Sequence, residues 1–404
     1  MDPALRKAYN AAYTEEHHRS YMSRLEGRLG HHVPFRVAET PLFLPKGIRH
    51  KLERAAREVV DLISEPSVIA RGQKAIPSHL HVPHEDALSN CIQVDFAIAN
   101  GKDGELDVKL VELQGFPSLY CLIALQVEAL SIELQKMPGL EGNWTTFFGG
   151  LDRKAYLDRL RSAMLGDTYP GEVVMLDLEP EKQKTFVDFI ATKILLGIDP
   201  VCPSELEREG RRLYRRVQGR RVQVKRIYNR IVFDELEKSN VKMPFSYTDD
   251  LDVSWVPHPN WYWTWSKNTI PMIDHPSVPK ARLLSEVDEI PQDLENYVLK
   301  PLFSFASTGV IVDVTRADVE AVPAAQRSGW LLQEKIDYAY AFETPAGAGV
   351  KAEVRMMFLR APDQPKPELV MNLVRLSRGK LIGVDHNKNL DWVGGTVGIW
   401  REGE

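Results

Sequence analysis

Cysteine is scarce in this chain. Three occur in 404 residues (Cys91, Cys121 and Cys202), an odd number at no metal-binding spacing, as reduced and buried thiols would be. Long apolar runs are absent too: none approaches the ~20 residues that span a bilayer, and the opening MDPALRKAYN is no signal peptide. Those absences predict a soluble, cytoplasmic protein with no membrane partner. Neither sign of charge dominates, with 51 Lys and Arg against 56 Asp and Glu, net -5, which gives a nucleic-acid partner no support. Finally, no G-x-x-x-x-G-K-[ST] occurs, so a bound phosphate would not sit in a P-loop.

What is present is ordinary globular composition, 44% hydrophobic and 26% charged, at a length that predicts two or three domains with real cores. The central stretch is YVLKPLFSFASTGVI, residues 297–311. A β-prone run ends in Lys300 and turns at Pro301. A loop of small and hydroxyl residues follows (Ser304, Ser307, Thr308, Gly309), and a second strand is expected at 310–312. A lysine leaving a strand beside such a loop suits a polyphosphate: the ammonium is a point charge, and small side chains let backbone N–H groups approach the oxygens. A plain β-hairpin with a solvated lysine is the competing reading.

Residues 91–99 and 106–114, either side of GKDGE, read as a hairpin. Alternation puts Glu112 and Gln114 on one face, and the turn brings Asp95 alongside them. Two carboxylates and an amide oxygen are hard ligands suited to Mg²⁺ that also holds phosphates. A solvated acidic face is the alternative, opposed by the apolar neighbours Val94, Phe96, Val111 and Leu113. His79 and His81 would share a strand face, but His pairs are more often surface groups than ligands.

The rest divides by pattern. Residues 1–33 are polar and helix-prone. Helical periods occupy 52–64, 123–137 and 155–165, with a boundary at 166–171. Residues 172–202 read strand, helix, short strand, a Rossmann-like unit. The Arg-rich run over 211–225 invites a nucleic-acid reading, but edge-strand charge explains it better. Arg230 follows within apolar neighbours, as at a strand end facing a pocket. Four aromatics precede Lys267. Residues 328–339 are expected as a strand whose backbone could read adenine. Residues 350–359 place Lys351, Glu353 and Arg355 on one face, and 368–379 carry Asn372 and Arg375. The Gly- and Asn-rich end, 385–400, is expected as a mobile loop near a site.

Lys267, then KP-loop-GV at Lys300, then LLQEKI, then E-x-R resembles the ATP-binding half of an ATP-grasp enzyme, and D-x(16)-E-x-Q resembles that fold's magnesium hairpin. The acidic hairpin precedes the lysines here, as in the circularly permuted branch that includes glutathionylspermidine synthetases and eukaryotic-type glutathione synthetases. The resemblance covers roughly residues 75 to 400. It implies an α/β (α+β) circularly permuted ATP-grasp fold in three parts: 1–165, helices plus the magnesium hairpin; 166–265, a Rossmann-like substrate domain; and 266–404, the ATP-binding and lid part.

The resemblance also implies ATP and Mg²⁺. Lys267 and Lys300 would contact phosphates under a lid of Ser304, Ser307, Thr308 and Gly309. Gln333, Glu334 and Ile336 would line the adenine pocket and Glu353 would reach the ribose. Asp95, Glu112 and Gln114 would hold the metal, while Arg355 and Arg375 would stabilise the transferring phosphoryl group. Gln stands where the family's hairpin has Asn, and the lid has one glycine where several are usual. The implied reaction joins a small-molecule or peptide carboxylate to an amine. Ser118, Tyr120, Arg230, His386 and Asn387 are candidate substrate contacts. A nucleotide-binding protein without ligase activity is the alternative, and a homodimer is left open.

Overall fold

Two antiparallel sheets face each other across a cleft, and the chain reaches them in an order that separates neighbours widely in sequence. The computed structural model describes every residue except 103, 116, 304–308, 380, 381, 383–386, 388 and 404, and omits the side chains of residues 234 and 237. The larger sheet has Cys91–Asn100 and Leu106–Leu113 as its hairpin, laid against Gly349–Leu359, then Glu368–Ser377, then Gly394–Thr396, with the short Phe342–Glu343 beside Gly349–Leu359. An early hairpin is thus completed by strands from the last quarter of the chain. The smaller sheet has Trp330–Glu334 in the middle, between Ala281–Leu283 and Tyr297–Pro301.

Helices form where the apolar period predicts. Lys46–Ile63 buries Ile48, Leu52, Ala55, Ala56, Val59, Val60 and Ile63 on one stripe. Tyr120–Leu134 is apolar around nearly its whole girth and is accordingly buried on nearly all sides. Its first turn is capped from afar, Asp188 accepting from the backbone N–H of Leu119 (3.0 Å) and Leu122 (3.1 Å). A four-stranded parallel sheet follows, ordered Ser254–Val256, Arg226–Asn229, Val173–Leu176, Asp199–Val201. Parallel sheets are covered on both faces, and the inner strand Val173–Leu176 is accordingly apolar and fully buried.

Several expectations fail for identifiable reasons. The strand expected at 310–312 shrinks to a single bridge, Ile311 with Leu299, on the edge of Tyr297–Pro301 away from Trp330–Glu334. Ser78–Leu80 form a 3-10 turn rather than a strand and His81 follows it, leaving His79 and His81 exposed without a shared strand face. Where described, the Gly-rich end is largely strand: Gly398–Arg401 pairs with Leu42–Phe43 and Trp144–Thr145. Gly394 has φ +117°, and a Cβ there would collide with the Arg36 carbonyl, while one at Gly398 would meet Leu44 and Asn372, so these two glycines serve close packing. The aromatics before Lys267 are core: Trp261, Tyr262, Trp263 and Trp265 are buried, and Trp265 Nε1 donates to the Ile63 carbonyl at 2.9 Å. Among the described residues no helix is long and apolar enough to cross a membrane.

Candidate functional site

The register of the larger sheet decides the site. Asp95 pairs with Glu112 on one side and Arg355 on the other, and Glu353 pairs with Arg375. Directly opposed residues point the same way, and so do residues two apart. Gln93, Asp95, Glu112, Glu353, Arg355 and Arg375 therefore share one face. From the smaller sheet, Lys300 reaches across: its Nζ donates to the Val111 carbonyl at 3.3 Å and to Gln333 Oε1 at 2.9 Å. Between the sheets lies a cleft of about 360 Å³ whose lining includes Glu112, Gln114, Lys267, Lys300, Glu353 and Arg375. Residues 333–338 and the apolar side chains of Val298, Val310, Val312 and Ile382 complete it.

The charges sit at two depths. Asp95 is fully buried and saturated: Arg355 grips it bidentately (2.7 and 2.9 Å), Arg375 Nη2 donates at 2.5 Å and Gln114 Nε2 at 3.1 Å. Its carboxyl pKa is lowered because the two arginines overcome a larger-than-usual desolvation opposing them. Arg355, itself buried, continues the chain to Gln93 Oε1 at 3.4 Å, and Gln93 Nε2 donates to the Ser118 carbonyl at 2.6 Å. Arg355 is absent from the lining of the cleft and holds Asp95 instead, so a direct part for it on a phosphoryl group has no support in this geometry.

Arg375 does line the cleft. Its Nη2 lies 2.5 Å from Asp95 Oδ2, 2.9 Å from Glu353 Oε2 and 3.6 Å from Glu112 Oε1. One guanidinium nitrogen thus stands among three carboxylates and neutralises part of their charge. Burial opposes its charge, but Glu353, Asp95 and Glu112 together raise its pKa. Tyr338, which the sequence reading passed over, donates to Glu353 at 2.5 Å. Burial raises the Glu353 pKa, with Arg375 opposing.

The lysines are the converse case. Burial lowers the Lys300 pKa to about 8, with Glu112 and Glu353 only partly opposing and Lys267 adding to the fall. Lys267 is lowered the same way, Glu112 Oε2 lying 4.0 Å from its Nζ. Two adjacent ammonium groups are thus held in a desolvated place with too little negative charge, which an anionic ligand would supply.

The remaining candidates scatter. Gly309 has φ +74° and packs on Pro301, where a side chain would be strained. Ser304, Ser307, Thr308 and His386 lie outside the described residues. Tyr120 is core: its hydroxyl donates to the Phe358 carbonyl at 2.9 Å under the sheet, so it is no surface for a substrate. Asn387 is a clamp, its Oδ1 accepting from Ser377 Oγ and the N–H of Arg378 and Gly379. Arg230 is buried and donates to the Pro117 carbonyl at 3.0 Å, beside Ser118 in the loop after the acidic hairpin.

No family model matches the chain, and no curated protein matches it. Among solved structures, a glutathione synthetase-like effector from Globodera pallida, in its apo form, is similar over 93% of this chain and 95% of that one. The TM-score is 0.58 at 12% identity, a likeness that shows the fold. The chain has a mixed α/β architecture of the glutathione synthetase-like kind.

Proposed function

We propose that this chain is an ATP-dependent ligase that joins a carboxylate to an amine through an acyl-phosphate, on a circularly permuted ATP-grasp fold. The observation that carries the proposal is the meeting of Lys267 and Lys300 with Glu112, Glu353 and Arg375 across one cleft. Lys300 and Lys267 would bind the phosphates, and the backbone of residues 334–336 would take the base; among the described residues the Ile336 N–H makes no backbone hydrogen bond. The substrate carboxylate oxygen attacks the γ-phosphorus and ADP leaves. The amine then attacks the acyl carbon, phosphate departs, and the amine loses a proton. No protein nucleophile is required, so the residues act by positioning and charge. Arg375 would face the transferring group, and Ser118 with Arg230 would border the substrate.

Magnesium fits the carboxylates of Asp95 and Glu112, which are hard oxygen donors, whereas Gln114 turns its Nε2 toward them at 3.1 and 2.5 Å and would have to turn its amide over to offer an oxygen. Bound there it would neutralise charge on the phosphates. For Asp95 to share in that, Arg375 must first give up its hydrogen bond. One observation favours a second reading, a nucleotide-binding protein without ligase activity: Asp95 is saturated, and among the described residues no group of three His, Cys, Asp or Glu is arranged to hold a metal. The test is release of ADP with Mg²⁺ against a pool of carboxylates and amines. ATP binding without ADP release in any mixture would favour the second reading.

A further inference from the structure

We infer that Trp392 is a positioning residue for Arg375, linking the N-terminal helix Pro3–Ala12 to it through the short strand Gly394–Thr396. The inference rests on the ligase reading, in which Arg375 faces the transferring group. Trp392 has φ +58°, a left-handed backbone that a bulky residue adopts only where its surroundings impose it. Here the indole imposes it. Trp392 is buried, its ring 4.7 Å from that of Tyr13 and 6.4 Å from that of Tyr9, with the Arg6 guanidinium 5.4 Å away. Its backbone N–H donates to Glu39 Oε2 at 2.8 Å. Arg6 is itself buried and lies over the Tyr9 and Phe342 rings at 4.7 Å each. Its Nη1 donates to Thr40 Oγ1 at 3.0 Å, but its Nε and Nη2 find no hydrogen-bond partner among the described residues. The three ring faces offset the burial of that charge.

What this box fixes begins two residues further on. Gly394–Thr396 pairs with Val374, Arg375 and Leu376, and Gly395 stands opposite Arg375. Two glycines in a three-residue strand hold little by themselves, because they pack no side chain and lose the most backbone freedom. The strand is held from its other side. The Gly395 N–H donates to the Arg36 carbonyl, and the Gly395 carbonyl accepts from the Ala38 N–H, both at 3.0 Å. Thr396 Oγ1 donates to the Thr40 carbonyl at 2.8 Å. Thr40 also accepts from Arg6, and Glu39 from Trp392, so box and strand share one support. That support backs the sheet where Arg375 pairs with Glu353. If the strand shifts, Arg375 shifts with it, and a displacement of about 1 Å at a reacting centre costs up to ~10²-fold in rate.

The test is the guanidinium ¹⁵N–¹H spectrum of the full chain labelled at arginine, alongside steady-state ADP release. The Arg375 and Arg355 signals are assigned by their loss in Arg375→Lys and Arg355→Lys. Trp392→Gly suits φ +58° and removes the indole. It is expected to shift or broaden the Arg375 signal, leave that of Arg355, and lower kcat about tenfold to hundredfold with KM for ATP unchanged. Trp392→Phe keeps a ring in the box and should stay near the unmodified chain. An unmoved Arg375 signal in Trp392→Gly overturns the inference. So does a shift shared equally by Arg355, which would be a general loosening of the sheet. A shifted Arg375 signal with kcat intact overturns the link to the chemistry. Should Trp392→Gly not fold, Tyr13→Leu takes away the nearest ring while leaving the strand, and the same two signals decide in the same way. No ADP release by the unmodified chain in any mixture overturns the ligase reading, and the placement of Arg375 is then decided by the spectrum alone.

Discussion

The Arg-rich sheet over residues 207–224 and the cleft hold comparable densities of charge and handle them in opposite ways. In the sheet, arginines are met by acids near the surface: Arg208 by Asp249, Arg211 by Asp250 and Asp252, Arg216 by Glu207, Arg221 by Glu209. In the cleft, Lys300 and Lys267 are buried with their pKa values driven down. A run of arginines in a sequence is conspicuous but chemically quiet once paired. Two lysines separated by more than thirty residues are inconspicuous, and burial that outweighs the pull of Glu112 on both makes them the stronger sign of a ligand.

The sharpest way to test that contrast is to take a carboxylate from the cleft. Under the ligase reading, Glu112→Gln keeps the side chain's shape and its contact with Gln114 while removing one negative charge beside Lys267 and Arg375. Turnover is expected to fall by about 10²–10⁴, with ATP affinity changed far less, because the charge acts on the phosphoryl group in flight. Single-turnover ADP release against a direct binding titration separates the two. Unchanged turnover with the true substrates would remove Glu112 from the chemistry.

Lys300→Met comes next. The proposal expects ATP affinity to weaken about 10²-fold, since a buried ammonium that meets phosphate oxygens is lost. The stability of the empty protein should change by no more than about 1 kcal/mol at neutral pH, because relief of a desolvated charge is offset by the loss of the donor to Gln333 Oε1 and the Val111 carbonyl. Chemical denaturation and calorimetry on one preparation give both numbers. A large loss of stability would show that Lys300 is kept for the fold through Gln333 and Val111 rather than for a ligand.

A smaller effect follows from pH. The Lys300 pKa is about 8 in the folded protein, below its unfolded value, so between those values the unfolded chain binds more protons. This group's destabilisation is therefore full below about pH 8 and is relieved as pH rises beyond it. Nucleotide affinity runs the other way. ATP raises the pKa of both lysines, so binding takes up protons near pH 8, and affinity falls by up to about tenfold per pH unit above that. Calorimetry in two buffers of different ionisation enthalpy measures the uptake; no uptake between pH 8 and 9 would place the anion elsewhere.

Much of this arrangement was legible in the sequence because it depends on strand alternation. Period 2 put Glu112 with Gln114 and Glu353 with Arg355, and the hairpin turn brought Asp95 beside Glu112. Depth was not legible. Arg355 and Arg375 look alike in sequence, but cross-strand pairing sets Arg355 against Asp95 beneath the cleft and Arg375 against Glu353 at its wall. Tyr120, a candidate substrate contact, is core, since whether a helix's first turn is buried depends on the distant strands that pack over it, here those of Ile92 and Phe358, which local pattern does not contain. Tyr338 was missed because it lies beyond the strand end and joins the site through a bridge to Ala99, more than two hundred residues away.

The smallest expected effect is the most direct check on the quiet half of the contrast. Arg216 pairs with Glu207 at 2.8 Å, with 64% and 39% of the two side chains exposed. Such pairs contribute about 0–1 kcal/mol, screened by salt. Arg216→Gln should shift unfolding free energy by no more than about 0.5 kcal/mol, and less at high ionic strength, and leave ATP affinity unchanged. Arg215, one residue away, is the internal control: its side chain is only 6% exposed, and it ties Asp199 at 3.0 Å and the Gly171 carbonyl at 3.2 Å, anchoring the sheet to the parallel strands. Arg215→Gln should destabilise by roughly 1–2 kcal/mol, because it leaves the Gly171 carbonyl without this donor and Asp199 with Lys193 as its remaining ion pair. If Arg216→Gln weakened ATP binding as much as a cleft substitution does, charge at the surface would be steering the nucleotide, and burial would no longer be what separates the two regions.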